Sequence, residues 1–223
     1  RRGEVVDHRV QERLDALVEH LRNPDEFARH TPVPTLSADD INYTRQGVYW
    51  TGGVWAPTNY MIVRGLMLAG RGDAAHEIAM KYLGVLARTY ARVEPHTLWE
   101  CYSPEEDLPG LAAYTHRRVK PDFVGWTGLG PIAMLVENVI GIGVNAPEGR
   151  VDWTVRLTEG HGVEQLPVMQ GARADFRCEE RGSADAPARV SVRSDRDLEV
   201  HVHRGARHEV LRVPAGTSRG LVV

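Results

Sequence analysis

A mainly α-helical first part followed by a small antiparallel β domain is the architecture this sequence predicts. Three observations lead there. Before about residue 150, apolar residues recur at helical spacing; after it they alternate with polar ones. The Gly, Pro and Trp residues of the first part collect in the connections between helices.

Leu14, Leu17, Val18 and Leu21 form the first helical stripe, and Met61, Ile62, Gly65, Leu66 and Leu68 the second. The run GDAAHEIAMKYLGVLARTYARV puts Ile78, Leu83, Leu86 and Tyr90 on one face. A last helix is predicted over GLGPIAMLVENVIGIG, with Pro131 tolerated in its first turn and Gly at its end. NAPEGR, residues 145–150, reads as a linker. Beyond it VDWTVRL, ARVSVRS, DLEVHVHR and HEVLRVP alternate apolar with polar residues, separated by turn signals such as EGHG, ERGSADAP, SDRD and RGAR. These predict a small antiparallel sheet or sandwich with one face buried. The predicted domains are therefore residues 1–147 and 148–223.

Composition sets bounds on partners. The 223 residues are 42% hydrophobic and 26% charged, enough for one medium domain or two small ones. A net charge of −3 gives no basic footprint, so no nucleic-acid partner is expected. The longest apolar run, IAMLVENVIGIGV, is interrupted by Glu137 and Asn138 and is too short for a bilayer, so no membrane partner is expected either. The opening RRGEVVDHRVQERLDALVEHLR lacks the apolar core and cleavage site of a signal peptide. It also lacks an initiator Met, and the expectation is a portion of a longer product whose compartment stays open. Cys101 and Cys178 sit in unlike contexts and are expected to be reduced, unrelated thiols.

Four segments fall where one helix ends and another begins: PVPTLSADD (32–40), YWTGGVWAPTNY (49–60), LWECYSPEED (98–107) and KPDFVGWTGLG (120–130). Loops that converge on one cavity and carry aromatics and a carboxylate suit a sugar. Pyranose faces are apolar and stack on Trp or Tyr, while the hydroxyls need polar partners. Glu100, between Trp99 and Tyr102, is the carboxylate to single out. Aromatic neighbours would desolvate it and raise its pKa, as a general base near neutrality requires. The other reading of Glu100 is a solvated loop acid or a charge at a helix start. Trp50, Trp55 and Trp126 stack on ligand or pack in a core. Gly52 and Gly53 make a tight turn open to close backbone approach. Asn59, beside Pro57 and Thr58, either caps the following helix or meets substrate. Asp122 is expected to cap or anchor a turn.

HVHRGARH (201–208) brings His201, His203 and His208 towards one strand face, but that face is the polar one, beside Glu199 and Arg204. It reads as solvated, and no metal is expected there. GLGPIAM and TGG lack the strand–glycine–helix context of a nucleotide site, so no cofactor is expected.

Taken together, YWTGGVWAPTNYMIVRGL, LWECYSPE and KPDFVGWTGLGPIAMLVENVIGI resemble the C-terminal part of the catalytic domain of glycoside hydrolase family 63. That family includes processing α-glucosidases and bacterial mannosylglycerate hydrolases, and there is a more distant similarity to family 37 trehalases. The resemblance covers residues 30–143. It implies the C-terminal part of an (α/α)6 toroid and inverting hydrolysis of an α-glucoside or α-mannoside. In the family the Glu opening the E-x-Y-x-P segment is the general base, so Glu100 of Glu100-Cys101-Tyr102-Ser103-Pro104 inherits that role. Tyr49, Trp50 and Trp55 match the loop lining the sugar pocket, and Trp126 the aromatic of the last segment; Asn59 and Tyr102 complete the expected substrate contacts.

Inversion also needs a general acid across the scissile bond, roughly 6.5–9.5 Å from the base. The family's acid lies well upstream of E-x-Y-x-P, where this chain has no counterpart; Asp39 and Asp40 do not match it. The chain is therefore expected to carry the base and part of a saccharide pocket, with little activity alone and an N-terminal half of the same enzyme as partner. Residues after about 150 resemble the β-rich tail of bacterial relatives; Trp153 is the only Trp there, so no aromatic binding platform is expected. The competing readings are a non-catalytic carbohydrate-binding protein and a barrel-completing structural partner.

Overall fold

The computed structural model describes residues 8–223. The first seven residues of the predicted first domain, and with them the start of the stretch read as lacking a signal peptide, lie outside the described residues. The chain divides into two compact units, one ending at Met134 and the other comprising Leu135–Val223. The division falls inside a π-type helix, Leu129–Ile140, ahead of the linker expected at residues 145–150.

The first unit contains α1 (His8–Arg22), α2 (Ala56–Leu68), α3 (Gly72–Arg92) and the single turn α4 (Val124–Thr127). Helix α2 starts at Trp55, whose backbone is extended, with Pro57 in the first turn where its missing N–H costs nothing. It stops at Gly70, in the left-handed region at φ 72, where Arg71 N–H reaches back to Leu66 O at 2.8 Å. Helix α3 follows at once. It carries Asp73 in its first turn and Arg92 in its last, both favourable to the helix dipole. Its buried face is Ala75, Ile78, Ala79, Tyr82, Val85, Leu86 and Thr89, a 3–4 spacing that leaves Tyr90 exposed beside it. Helix α2 buries Asn59, Val63 and Leu66, and exposes Met61 and Leu68.

The second unit is β1 (Ile142–Asn145), β2 (Arg150–Thr154), β3 (His161–Pro167), β4 (Arg173–Cys178), β5 (Arg189–Ser194), β6 (Leu198–Arg204), β7 (Arg207–Val213) and β8 (Ser218–Val222). They form two four-stranded sheets, ordered β1-β2-β6-β7 and β3-β4-β5-β8. All pairs are antiparallel except β2 with β6. Alternation decides which residues enter the core. Val151, Trp153, Val200 and Val202 from one sheet meet Ala174, Phe176, Val190 and Val192 from the other. Trp153 is fully buried, its indole N–H donating to Ile140 O at 3.0 Å and its ring edge-on to Phe176 at 5.4 Å.

The expected mainly α architecture, with its (α/α)6 toroid, is overturned. Among the described residues there are four α-helices, one of them a single turn, and one π-type helix, against eight strands in two sheets. The cause lies in the connections. Residues 23–55 and 93–123 are rich in Pro, Gly, Asp, Asn and Ser, which favour turns over helix. They fold as long irregular loops tied by isolated β-bridges, whereas a toroid needs helix to follow helix through short connections.

Among the described residues no helix is long and apolar enough to cross a membrane. Cys101 and Cys178 are both free and buried.

Candidate active site

Two of the long loops are clamped together by one pair of backbone hydrogen bonds. Val54 N–H donates to Tyr102 O, and Tyr102 N–H donates to Val54 O, each at 2.9 Å. Two further links support the clamp: Tyr49 N–H to Leu111 O at 2.9 Å, and Gly110 N–H to Cys101 O at 3.0 Å. The aromatic loop 49–55 is thereby laid against the acidic loop 98–107. Tyr49 and Glu100, far apart in sequence, meet: the Tyr49 hydroxyl donates to Glu100 Oε1 at 3.4 Å.

The turn that presents Tyr49 depends on the glycine pair. Gly52 sits at φ 130, and a Cβ there would lie 2.7 Å from Thr44 O. At Gly53 a Cβ would collide with Tyr49 O. Tyr49 itself is held in the left-handed region at φ 47, an uncommon place for a residue with a side chain. Its carbonyl accepts from Gly53 N–H at 3.0 Å and from the Trp55 indole at 3.2 Å.

These constraints assemble an aromatic cluster. Trp50 stacks on Trp55 with centroids 4.5 Å apart and planes 11° apart. Tyr49 lies edge-on to Trp55 at 4.7 Å, and Trp126 meets Trp55 edge-on at 5.7 Å. Exposure separates their roles: Trp55 is 0% exposed, Trp50 54% and Trp126 42%. Trp55 is thus the floor of the cluster, while Trp50 and Trp126 offer ring surface to solvent. Glu100 is 8% exposed, and its N–H donates to Lys120 O at 3.0 Å, tying it to the segment that leads to Trp126. Burial, and then the neighbouring Glu100 carboxylate, push the Tyr49 hydroxyl above its ordinary range.

Besides Trp55, two of the predicted substrate contacts are enclosed. Asn59 is 0% exposed and spends its amide on Val33 O and Trp55 O, both at 3.2 Å. Tyr102 is buried edge-on to Tyr82 at 6.2 Å, its hydroxyl accepting from Trp99 N–H at 3.3 Å. Burial pushes that hydroxyl up to about 12. Asp40 accepts from Asn42 N–H at 2.8 Å in an exposed turn, and Asp122 accepts from the Thr97 hydroxyl at 2.7 Å, anchoring a turn.

Sequence reasoning missed the ionic frame of the acidic loop. Glu105 takes a two-pronged contact from Arg29, at 2.9 and 2.8 Å, and a hydrogen bond from the Tyr43 hydroxyl at 2.7 Å. Asp107 accepts from Arg88 at 2.9 Å, Arg92 at 3.2 Å and His30 at 2.8 Å. Burial works to raise the Asp107 pKa, but hydrogen bonds and charge from Arg88 and His30 outweigh it and hold the carboxyl below its usual range. Arg88 and Arg92, four apart on α3, were a legible signal: two cations on one helix face ask for an anion.

A family model described as the mannosylglycerate hydrolase MGH1-like glycoside hydrolase domain matches residues 5–117. The chain belongs to that family. The matched stretch contains Tyr49, Trp50, Trp55, Asn59, Glu100 and Tyr102, while Trp126 lies beyond it. An uncharacterized protein of Borreliella burgdorferi is 25% identical over 168 residues, which cover 72% of this chain and 34% of that protein. The chain therefore spans about a third of the length of the curated relative it matches.

Proposed function

We propose that this chain contributes the general base, Glu100, and an aromatic wall for sugar to an enzyme that hydrolyses an α-glycosidic bond with inversion. The finer assignment, the C-terminal part of a family 63 catalytic domain with an α-glucoside or α-mannoside as substrate, rests on the three segments around Tyr49, Glu100 and Trp126. One observation carries the reading. A largely buried carboxylate is hydrogen-bonded by Tyr49 beside two half-exposed indoles, in loops that the family match largely covers. In that reading Trp50 and Trp126 stack on the apolar face of the sugar ring. Glu100 draws a proton from the attacking water, and the leaving oxygen takes its proton from a carboxylic acid on the opposite side. We place that acid in a segment outside these 223 residues, an N-terminal part of the same enzyme.

A second reading, sugar binding without turnover, is favoured by the state of the neighbouring acids. Glu105 is engaged by Arg29 and Tyr43, and Asp107 by Arg88, Arg92 and His30, so neither is poised to donate a proton. Proton NMR of sugar release separates the two. A panel of α-glucosides and α-mannosides, including trehalose and mannosylglycerate, is incubated with the enzyme bearing this chain and with its Glu100→Gln variant. Release of the β-anomer by the parent alone supports hydrolysis with Glu100 as base. Saturable sugar binding by both proteins with no release supports the second reading, and release unaffected by Glu100→Gln removes Glu100 from the mechanism.

A further inference from the structure

The outward face of the sheet β1-β2-β6-β7 carries three imidazoles side by side. His201 and His203 are two apart on β6 and share a face; His208 lies directly opposite His203 in the antiparallel register. His201 Nδ1 and His208 Nε2 are 3.1 Å apart in a hydrogen bond. The His203 and His208 rings stack at 4.6 Å with planes 16° apart. Two of the three rings have their other nitrogen on a carboxylate. His201 Nε2 meets Glu199 Oε1 at 2.9 Å, and Arg212 holds the other oxygen of Glu199 at 3.2 Å. His203 Nε2 meets Asp152 Oδ1 at 3.3 Å, and Arg150 holds the other oxygen of Asp152 at 3.1 Å.

We propose that His201, His203 and His208 form a binding site for a divalent transition-metal ion of the zinc type. As they stand, the imidazoles satisfy one another, and among the described residues no three or more His, Cys, Asp or Glu side chains are gathered as a ready coordination shell. Little has to move to make one. Two nitrogens each about 2.0–2.1 Å from a tetrahedral zinc are about 3.3–3.4 Å apart. His201 Nδ1 and His208 Nε2 are 3.1 Å apart, so the ion takes the place of their shared proton. Rotation of the His203 side chain, whose ring already lies against His208, supplies the third nitrogen, and water the fourth position.

The surrounding polar groups favour this over a merely solvated face. A ligating imidazole gives its other N–H to a carboxylate, which fixes the tautomer and strengthens the ligand. Glu199 does so for His201, directing the Nδ1 lone pair at His208. Arg150 and Arg212 are turned onto carboxylates rather than onto the imidazoles. The ion would pin the β6–β7 hairpin through both of its strands.

Calorimetric titration of the metal-stripped chain with zinc chloride tests the site. The expected result is one zinc per chain, with affinity at least about tenfold weaker in His201→Asn, His203→Asn or His208→Asn, and about tenfold weaker in Glu199→Gln. Parent-like zinc binding by the triple His→Asn variant would overturn the proposal, as would an absence of saturable binding by the parent. Should a variant fail to fold, imidazole nitrogen NMR of the parent decides. Zinc-induced shifts must fall on His201, His203 and His208; shifts confined to the other histidines overturn the site.

Discussion

The Tyr49 hydroxyl donates to Glu100 Oε1 at 3.4 Å from a backbone held at φ 47. The strained turn and the hydrogen bond go together, because the Tyr49 carbonyl is fixed by Gly53 N–H and the Trp55 indole, which aims the side chain at the carboxylate. Tyr49→Phe keeps the carbonyl contacts and the ring packing but removes the donor. Stability should fall by no more than about 1 kcal/mol, the net value of one hydrogen bond. If Glu100 is the base, turnover by the enzyme bearing this chain should fall about tenfold with little change in KM, since the hydroxyl orients the base rather than the sugar. A change confined to KM would place Tyr49 on the substrate instead.

Gly53 is the position where the aromatic loop tolerates least. A methyl group there meets Tyr49 O head-on and lies 3.2 Å from the Trp55 indole nitrogen. Neither neighbour can yield without breaking the other's hydrogen bond. Gly53→Ala should destabilise by roughly 1–3 kcal/mol, and the loss should show in urea melts followed by Trp fluorescence, because three of the five Trp residues belong to this cluster. Gly65→Ala, where a Cβ meets nothing within 4 Å on an exposed face of α2, should leave stability equal or slightly raised.

Periodicity made much of the local structure legible and little of its closure. The alternation in VDWTVRL, ARVSVRS and DLEVHVHR corresponds to β2, β5 and β6, because a half-buried strand writes its two faces into the sequence. The toroid came from resemblance, not from spacing, and the turn-forming residues of 23–55 and 93–123 argued against it. Within the site, composition could not separate Trp55 from Trp50. Both are indoles in one uncharged loop, and only the backbone clamp between Val54 and Tyr102 decides which is buried. The Arg29–Glu105 contact spans 76 positions, so no local pattern announces it.

Asp107 links acid sensitivity to this frame. Burial opposes its ionisation, yet Arg88 and His30 prevail and depress its pKa in the folded state. A depressed carboxyl pKa stabilises the fold above the unfolded value, about 3.9, and that contribution is lost as pH falls through the folded value. Asp107→Asn should therefore be less stable than the parent at pH 7. The gap should narrow below about pH 4, where the carboxyl takes up its proton first in the unfolded chain and only at lower pH in the folded one. Urea melts of both proteins between pH 7 and pH 3 measure it; a gap independent of pH would assign the loss to packing rather than charge.

The two thiols offer a test of burial beside the candidate base. Burial, and then the Glu100 carboxylate, drive the Cys101 thiol far above its ordinary range, and burial raises Cys178 as well. Only the thiolate reacts with disulfide reagents, and an unperturbed Cys is partly thiolate at pH 8. In the folded chain at pH 8 both thiols should react far more slowly than in urea, where two equivalents should be released at once. Because Cys101 immediately follows Glu100 and its sulfur packs where Gly110 has no side chain, at 2.7 Å from a would-be Cβ, Gly110→Ala should unseat it. That variant should speed labelling of Cys101 while leaving Cys178 slow. Equal acceleration at both would mean global unfolding, and parent-like protection would mean that the acidic loop is not held by the Gly110–Cys101 approach.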